Sequence, residues 1–185
     1  MTAPTRLAPL DIAKLTPEQR KVADAIIGGP RGGLRGPFEP WLRSPDLADR
    51  GQKLGEYIRF KSILPADVKE MAILMVGRHF RAQFEFYAHA RIARDAGLDP
   101  AIIEAIRTYK TPPFKRDIEV AVYDFVTEYL GRHRVSDANY KRAVDILGEA
   151  GVVDLVGACG YYMLVSMTLN VFDMKLPPGE PDPLA

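Results

Sequence analysis

Glu85 and His89 stand four residues apart in the stretch RHFRAQFEFYAH, residues 78–89. On a helix that spacing puts a carboxylate and an imidazole on one face, with the acid on the N-terminal side. At about 100° per residue, the same face carries Ala82, Phe86, Ala93 and Ala96, all small or apolar. A buried ionisable pair must satisfy itself, and burial shifts its pKa values. The chemistry on offer is proton transfer. Histidine has an ordinary pKa of about 6.5, and a neighbouring carboxylate orients it and stabilises its protonated form. The alternative is a structural Glu85–His89 pair that pins two helices together.

The elements that must position this pair are helical, and strand signals are nearly absent. Thr16-Pro17-Glu18-Gln19 combines an N-cap hydroxyl, a first-turn proline and a capping-box glutamine. It predicts a helix to Gly28 with Val22, Ala25 and Ile26 on its inner face. Residues 28–37 (GGPRGGLRGP) read as a loop; without a preceding strand or a following GK[ST], they do not make a phosphate cradle. One helical turn at residues 38–42 carries Trp41. Ser44-Pro45 opens a helix to about Leu64 with Leu47, Leu54, Tyr57 and Ile58 in helical period. The run 71–76 is apolar on all sides, which predicts a helix in the middle of the fold. Further helices are expected over 82–96, ended by Gly97, and over 100–109, 116–132, 136–147 and 152–174. The fold class is all-α, a bundle of about eight helices with no sheet.

Two segments within this helical pattern resemble a known family. LPADVKEMAILMVGR (64–78) and AQFEFYAHARIARDAGLDPAIIEAI (82–106) are similar to the carboxymuconolactone decarboxylase family, which shares its fold with the AhpD-like alkyl hydroperoxidases. A weaker echo lies in residues 134–165. The family's peroxidase branch uses a CxxC pair, a histidine four residues after the second cysteine, and an upstream glutamate. The resemblance places these on Ala82, Glu85, His89 and Glu70, so both thiols are missing while the histidine and the glutamate remain. Peroxide reduction needs a nucleophilic thiolate and a resolving partner. The one cysteine of the chain, Cys159, stands in a different helix. A weak peroxidase activity through Cys159 is the third and least supported function.

The resemblance implies a cofactor-free acid–base lyase, decarboxylating or otherwise moving a proton on a small anionic lactone or aromatic-derived substrate. His89, Glu85 and Glu70 are its candidate catalytic residues. Arg81 and Trp41 are candidate substrate-binding residues, although Arg81 also has the spacing for a plain salt bridge to Glu85. A non-catalytic helical binding or assembly protein is the competing class. The three-residue site carries a geometric condition. In one straight helix Glu70 and His89 would lie about 28 Å apart. They can meet only if the chain turns back, and residues 77–81, with Gly77, are the expected break.

His79 is expected in that break, and His133 at the carboxyl end of the helix finishing near Arg132. No metal is expected, because neither HxH nor HExxH spacing occurs. A single cysteine rules out a disulfide within the chain. Lys+Arg of 25 against Asp+Glu of 24 leaves a net charge of +1, which disfavours a nucleic-acid partner. The apolar stretch 155–169 is shorter than the ~20 residues of a bilayer span, so no membrane partner is expected. The first ten residues lack the apolar centre of a secretory signal, and the expected location is cytoplasmic. Three regions are expected: a helical extension packed on the core (1–64), the family-like core (65–176) and a Pro-rich tail (177–185). The family's trimers and hexamers imply a homo-oligomer, with part of the last helix in the interface.

Overall fold

The computed structural model describes residues 6–184, so the first five residues of the expected extension and the last of the expected tail lie outside it. Eight helices and one short 3-10 turn (Ile12–Lys14) account for its regular structure, and the described residues contain no strand. The helices are α1 (Pro17–Gly28), α2 (Phe38–Trp41), α3 (Pro45–Phe60), α4 (Ala66–His79), α5 (Gln83–Asp95), α6 (Pro100–Arg107), α7 (Asp117–Arg132) and α8 (Asp137–Val171).

Helix α4 is the axis of the bundle. Every residue from Val68 to Gly77 is buried, because α5, α6, α7 and α8 all pack against it. The all-round apolar run predicts this position. Its two charged exceptions are Lys69 and Glu70. Lys69 Nζ donates to the Arg59 carbonyl at 2.8 Å, answering an acceptor that the end of α3 leaves free.

The chain reverses between α4 and α5, but not at Gly77, which stays inside the helix. The break falls on residues 80–82, with Arg81 in the left-handed region at φ 51°. Gly77 lies against Glu85 and the backbone of Phe86, but a Cβ there would meet them at 3.7–3.9 Å, an ordinary contact, so the return of α5 along α4 does not require a glycine.

Helix α8 merges the two helices expected over 136–147 and 152–174. It stops at Val171 and is kinked at Gly148, whose φ of 71° and ψ of 165° leave the helical region. By length and composition α8 matches a membrane-crossing helix. Here it is a core helix, burying Leu155, Ala158, Tyr161, Tyr162, Val165 and Leu169 against α3, α4, α5 and α7.

The N-terminal segment wraps this framework. The capping box of Thr16 and Gln19 opens α1 as predicted, although Ala23 rather than Ala25 joins Val22 and Ile26 inside. The inner face of α3 also differs from the expected stripe. Leu47, Leu54 and Tyr57 are exposed, while Ala48, Gly51, Gln52, Gly55 and Ile58 are buried. Small residues face inward because large rings sit against them: a Cβ at Gly51 would lie 2.9 Å from the Trp41 ring. Helix α3 ends at Phe60 rather than near Leu64. There Asp154 of α8 accepts hydrogen bonds from Tyr57 Oη (2.8 Å), Ser62 Oγ (2.7 Å) and the Ile63 amide (3.0 Å), fixing the exit of the chain.

The Gly148 kink is testable. An L-residue at that φ and ψ is strained, so Gly148→Ala should lower stability by about 1–3 kcal/mol, read as a lower urea midpoint at unchanged slope.

Candidate functional site

Glu70 is in the first half of α4, and Glu85 and His89 are on the first turns of α5. The reversal at residues 80–82 brings them together. His89 Nδ1 lies 2.5 Å from Glu70 Oε2, and His89 Nε2 lies 2.9 Å from Glu85 Oε1. All three side chains are at least nine-tenths buried. The ring of Tyr162 meets the His89 ring edge-on at 4.8 Å.

With a carboxylate at each ring nitrogen, both nitrogens act as donors, which describes an imidazolium. Burial pulls His89 toward its neutral form. The charges and hydrogen bonds of Glu70 and Glu85 outweigh that pull and raise its pKa to about 9. At neutral pH the triad therefore holds two negative charges and one positive charge. Neither nitrogen is free to ligate a metal without losing a carboxylate partner. Tyr162 is pushed well above the ordinary tyrosine value by burial and by both glutamates, and stays a neutral phenol.

His89 and Glu85 border a cavity of about 80 Å³. It continues into an outer groove of about 500 Å³ that also touches Phe84, Tyr87 and Arg91. Glu85 is the carboxylate that borders the cavity, and Glu70 is set behind His89. Three arginines line both spaces: Arg31 and Arg35 from the glycine-rich loop, and Arg59 from α3. Tyr161 and Tyr162 of α8 form another wall.

Of the residues expected in the site, Glu70, Glu85 and His89 converge. Arg81 does not join them. It is exposed at the α4–α5 reversal and makes no ion pair with Glu85, because the left-handed turn carries it outside the cavity. Trp41 does not line the cavity either. It is buried behind it, packing edge-on to Tyr161 at 6.1 Å, and its Nε1 donates to Thr168 Oγ1 at 2.9 Å. His79 is exposed at the end of α4, and His133 caps α7 in the left-handed conformation. Sequence reasoning missed Arg31, Arg35, Arg59 and the tyrosines as lining residues. The available signal was a pair of arginines in a loop with five glycines, which reads as a phosphate cradle or as a backbone turning tightly against a neighbour.

Cys159 is buried in α8 and lines a separate, apolar cavity of about 310 Å³ with Phe125, Val156 and Met163. Burial pushes its thiol up to about 12, so it carries almost no thiolate at neutral pH.

This all-α bundle, built around a buried central helix, has the AhpD-like fold. Solved structures share it over nearly the whole chain. An uncharacterized peroxidase-related protein with the alkylhydroperoxidase AhpD core, from Ralstonia eutropha JMP134, superposes with a TM-score of 0.79 at 16% identity, covering 96% of this chain and 95% of that one. A peroxidase-related protein from Silicibacter sp. TM1040 gives 0.77 at 15% identity, over 96% and 94% of the two chains. The debrominase Bmp8, in complex with 2,3,4-tribromopyrrole, gives 0.73 at 15% identity, over 92% and 90%. At such identities the likeness establishes the fold. No protein-family model matches the sequence, and no curated protein matches it.

The raised His89 pKa links protonation to stability. Its folded value lies above the ordinary 6.5, so the stabilisation is complete below about pH 6.5 and is lost as pH rises through about 9. The linked free energy is about 3 kcal/mol. In Glu70→Gln the His89 imidazole, followed by NMR, should titrate at least one unit lower. The loss of stability between pH 6.5 and 9 should flatten with it. An unchanged titration would mean that Glu70 does not hold the imidazolium.

Proposed function

We propose that this chain is a cofactor-free acid–base enzyme, a decarboxylase-like lyase acting on a small anionic lactone or aromatic-derived molecule. The observation that carries the reading is the triad itself: an imidazolium between two carboxylates, one of them bordering a cavity. The AhpD-like fold, shared with a debrominase that binds a small halogenated ring, agrees with a small-molecule substrate.

The step the triad supports is protonation of a carbanion. The bond between the substrate carbon and its carboxylate breaks, and carbon dioxide leaves. The electron pair stays on the carbon, delocalised as a dienolate. That carbon then takes the proton of His89 Nε2–H, relayed through the Glu85 carboxylate that borders the cavity. Glu70 steadies the imidazole throughout, and solvent restores the proton. His89 stays protonated at neutral pH, so the donor is loaded before substrate arrives. In the reverse sense Glu85 removes a proton from an acidic C–H, which gives the same site isomerase-like chemistry.

A purely structural pair is less well supported. Close packing of Phe84, Phe86 and Tyr87 over the pair would have favoured it, but only Phe86 is fully in the core. Phe84 and Tyr87 line the open groove instead. Peroxidase activity through Cys159 is opposed by the thiol's burial and its high pKa.

We also propose a homo-oligomer, with no nucleic acid or membrane as partner. Helix α8 leaves Val153, Val156, Met167 and Val171 about half or more exposed, an apolar row of the kind that subunit contacts cover.

Two experiments test these readings. With unsaturated lactone acids as substrates, carbon dioxide release should fall at least 100-fold in His89→Gln and Glu85→Gln, and stay unchanged in Cys159→Ser. A full rate in His89→Gln would remove the triad from the mechanism. Light scattering at micromolar concentration should show an oligomer that Met167→Asp dissociates; a monomeric wild type would reject it.

A further inference from the structure

Arg31, Arg35 and Arg59 are set apart by where they converge rather than by how they are paired. Arg50, Arg107, Arg116, Arg132 and Arg142 each sit within ion-pair distance of a carboxylate. Among the described residues none of the three has such a partner, although they converge on the one cavity that Glu85 and His89 border. Three like charges around one small cavity repel each other, and the Glu85 carboxylate is the acidic side chain that lines it with them.

Arg31 is the most tightly held. Its guanidinium carbon lies 4.9 Å from the centroid of the Phe38 ring, and Nη2 donates to the Gln52 carbonyl at 3.3 Å. Its Nε is buried and has no acceptor. The space it occupies depends on Gly55 of α3. A Cβ there would lie 2.1 Å from Tyr161 Oη and 2.6 Å from Arg31 Nη2. Any side chain at position 55 would push both groups away. The backbone beneath Arg59 is fixed as well, by the buried Lys69 ammonium on its carbonyl.

We propose that Arg31, Arg35 and Arg59 form an anion-recognition subsite for a carboxylate on a small unsaturated or aromatic body, with Gly55 and Tyr161 as positioning residues that give Arg31 its place. The inference rests on the acid–base reading only in putting the bound molecule beside Glu85. Guanidinium groups present planar forks that match a carboxylate. Pro37, Phe38 and Val165 supply an apolar surface in the same cavity, which suits the body of the molecule rather than its charge. The balance of charge agrees. Three guanidinium groups against a triad of net charge −1 leave the site positive, so an anion is drawn in and a neutral analogue is not.

The glycine-rich loop thus has a use that the sequence pattern conceals. It is no phosphate cradle of backbone amides; it delivers two side-chain cations to a cavity formed mainly by other elements.

Trp41, the one tryptophan, packs against both Phe38 and Tyr161 and so reports on this corner by its fluorescence. The full-length protein is titrated with sodium benzoate, sodium sulfate and benzamide, followed by Trp41 emission and by calorimetry. Benzoate should bind saturably. Sulfate, with charge but no apolar body, and benzamide, with the body but no charge, should each bind at least tenfold more weakly. Benzoate affinity should fall at least tenfold in Arg31→Gln, and measurably in Arg35→Gln, which alters only an exposed loop side chain. Gly55→Ala should weaken it without removing any group that touches the ligand. Glu85→Gln should bind benzoate at least as tightly, because it removes a negative charge beside the anion.

Absent benzoate binding, or equal affinity in wild type and both arginine variants, would overturn the subsite. Sulfate binding as tightly as benzoate would overturn the carboxylate-on-a-ring assignment. None of these results bears on the triad, which the His89→Gln rate judges separately.

Discussion

A histidine clamped between two glutamates in the interior is the constraint on which this structure turns. Removing two carboxylates and an imidazolium from water is expensive, and their mutual attraction offsets that only when the geometry is tight. At 2.5 and 2.9 Å the geometry is tight. No local element could supply it, because Glu70 and His89 belong to successive helices. The left-handed Arg81, which turns α5 back along α4, serves this one contact. The buried helix around Glu70 is apolar apart from Lys69, whose ammonium donates to the Arg59 carbonyl.

Around the triad, the two parts of the chain play opposite electrostatic roles. The α4–α5 hairpin contributes the acidic groups. The segment before it contributes the cations, from a loop and from the end of α3. Asp154 ties that end of α3 to α8, and Trp41 bridges to Thr168, so the cationic wall is fixed to the scaffold at several points. The tyrosines of α8 close the space between the two walls. A site of this kind is assembled from four separate stretches of sequence.

This division explains what was legible beforehand. The all-α class, the capping box at Thr16, the buried run of α4 and the Glu85–His89 pair all follow from periodicities and caps, which are local. The return of the chain needed only the impossibility of a straight helix. The arginines of the cavity were not legible, because a side chain's reach across the fold leaves no mark on spacing. Arg81 looked better placed, being one turn from Glu85 in sequence, yet the residue that reverses the chain is thrown outside it. The inner face of α3 was misread for a related reason. Leu47 and Leu54 have the right period, but the partner surface is made of aromatic rings, and only small residues fit beneath those.

The resemblance read from the sequence puts Glu85 where that family's peroxidases have their second cysteine, and a carboxylate differs there from a thiolate in more than reactivity. A thiolate at that position is consumed by oxidants, forms mixed disulfides and must be reset by a reductant. A carboxylate has no accessible oxidation state above its own. A centre built on Glu70, Glu85 and His89 thus holds the same chemical form whether its surroundings are oxidising or reducing, and its readiness is set by proton activity alone.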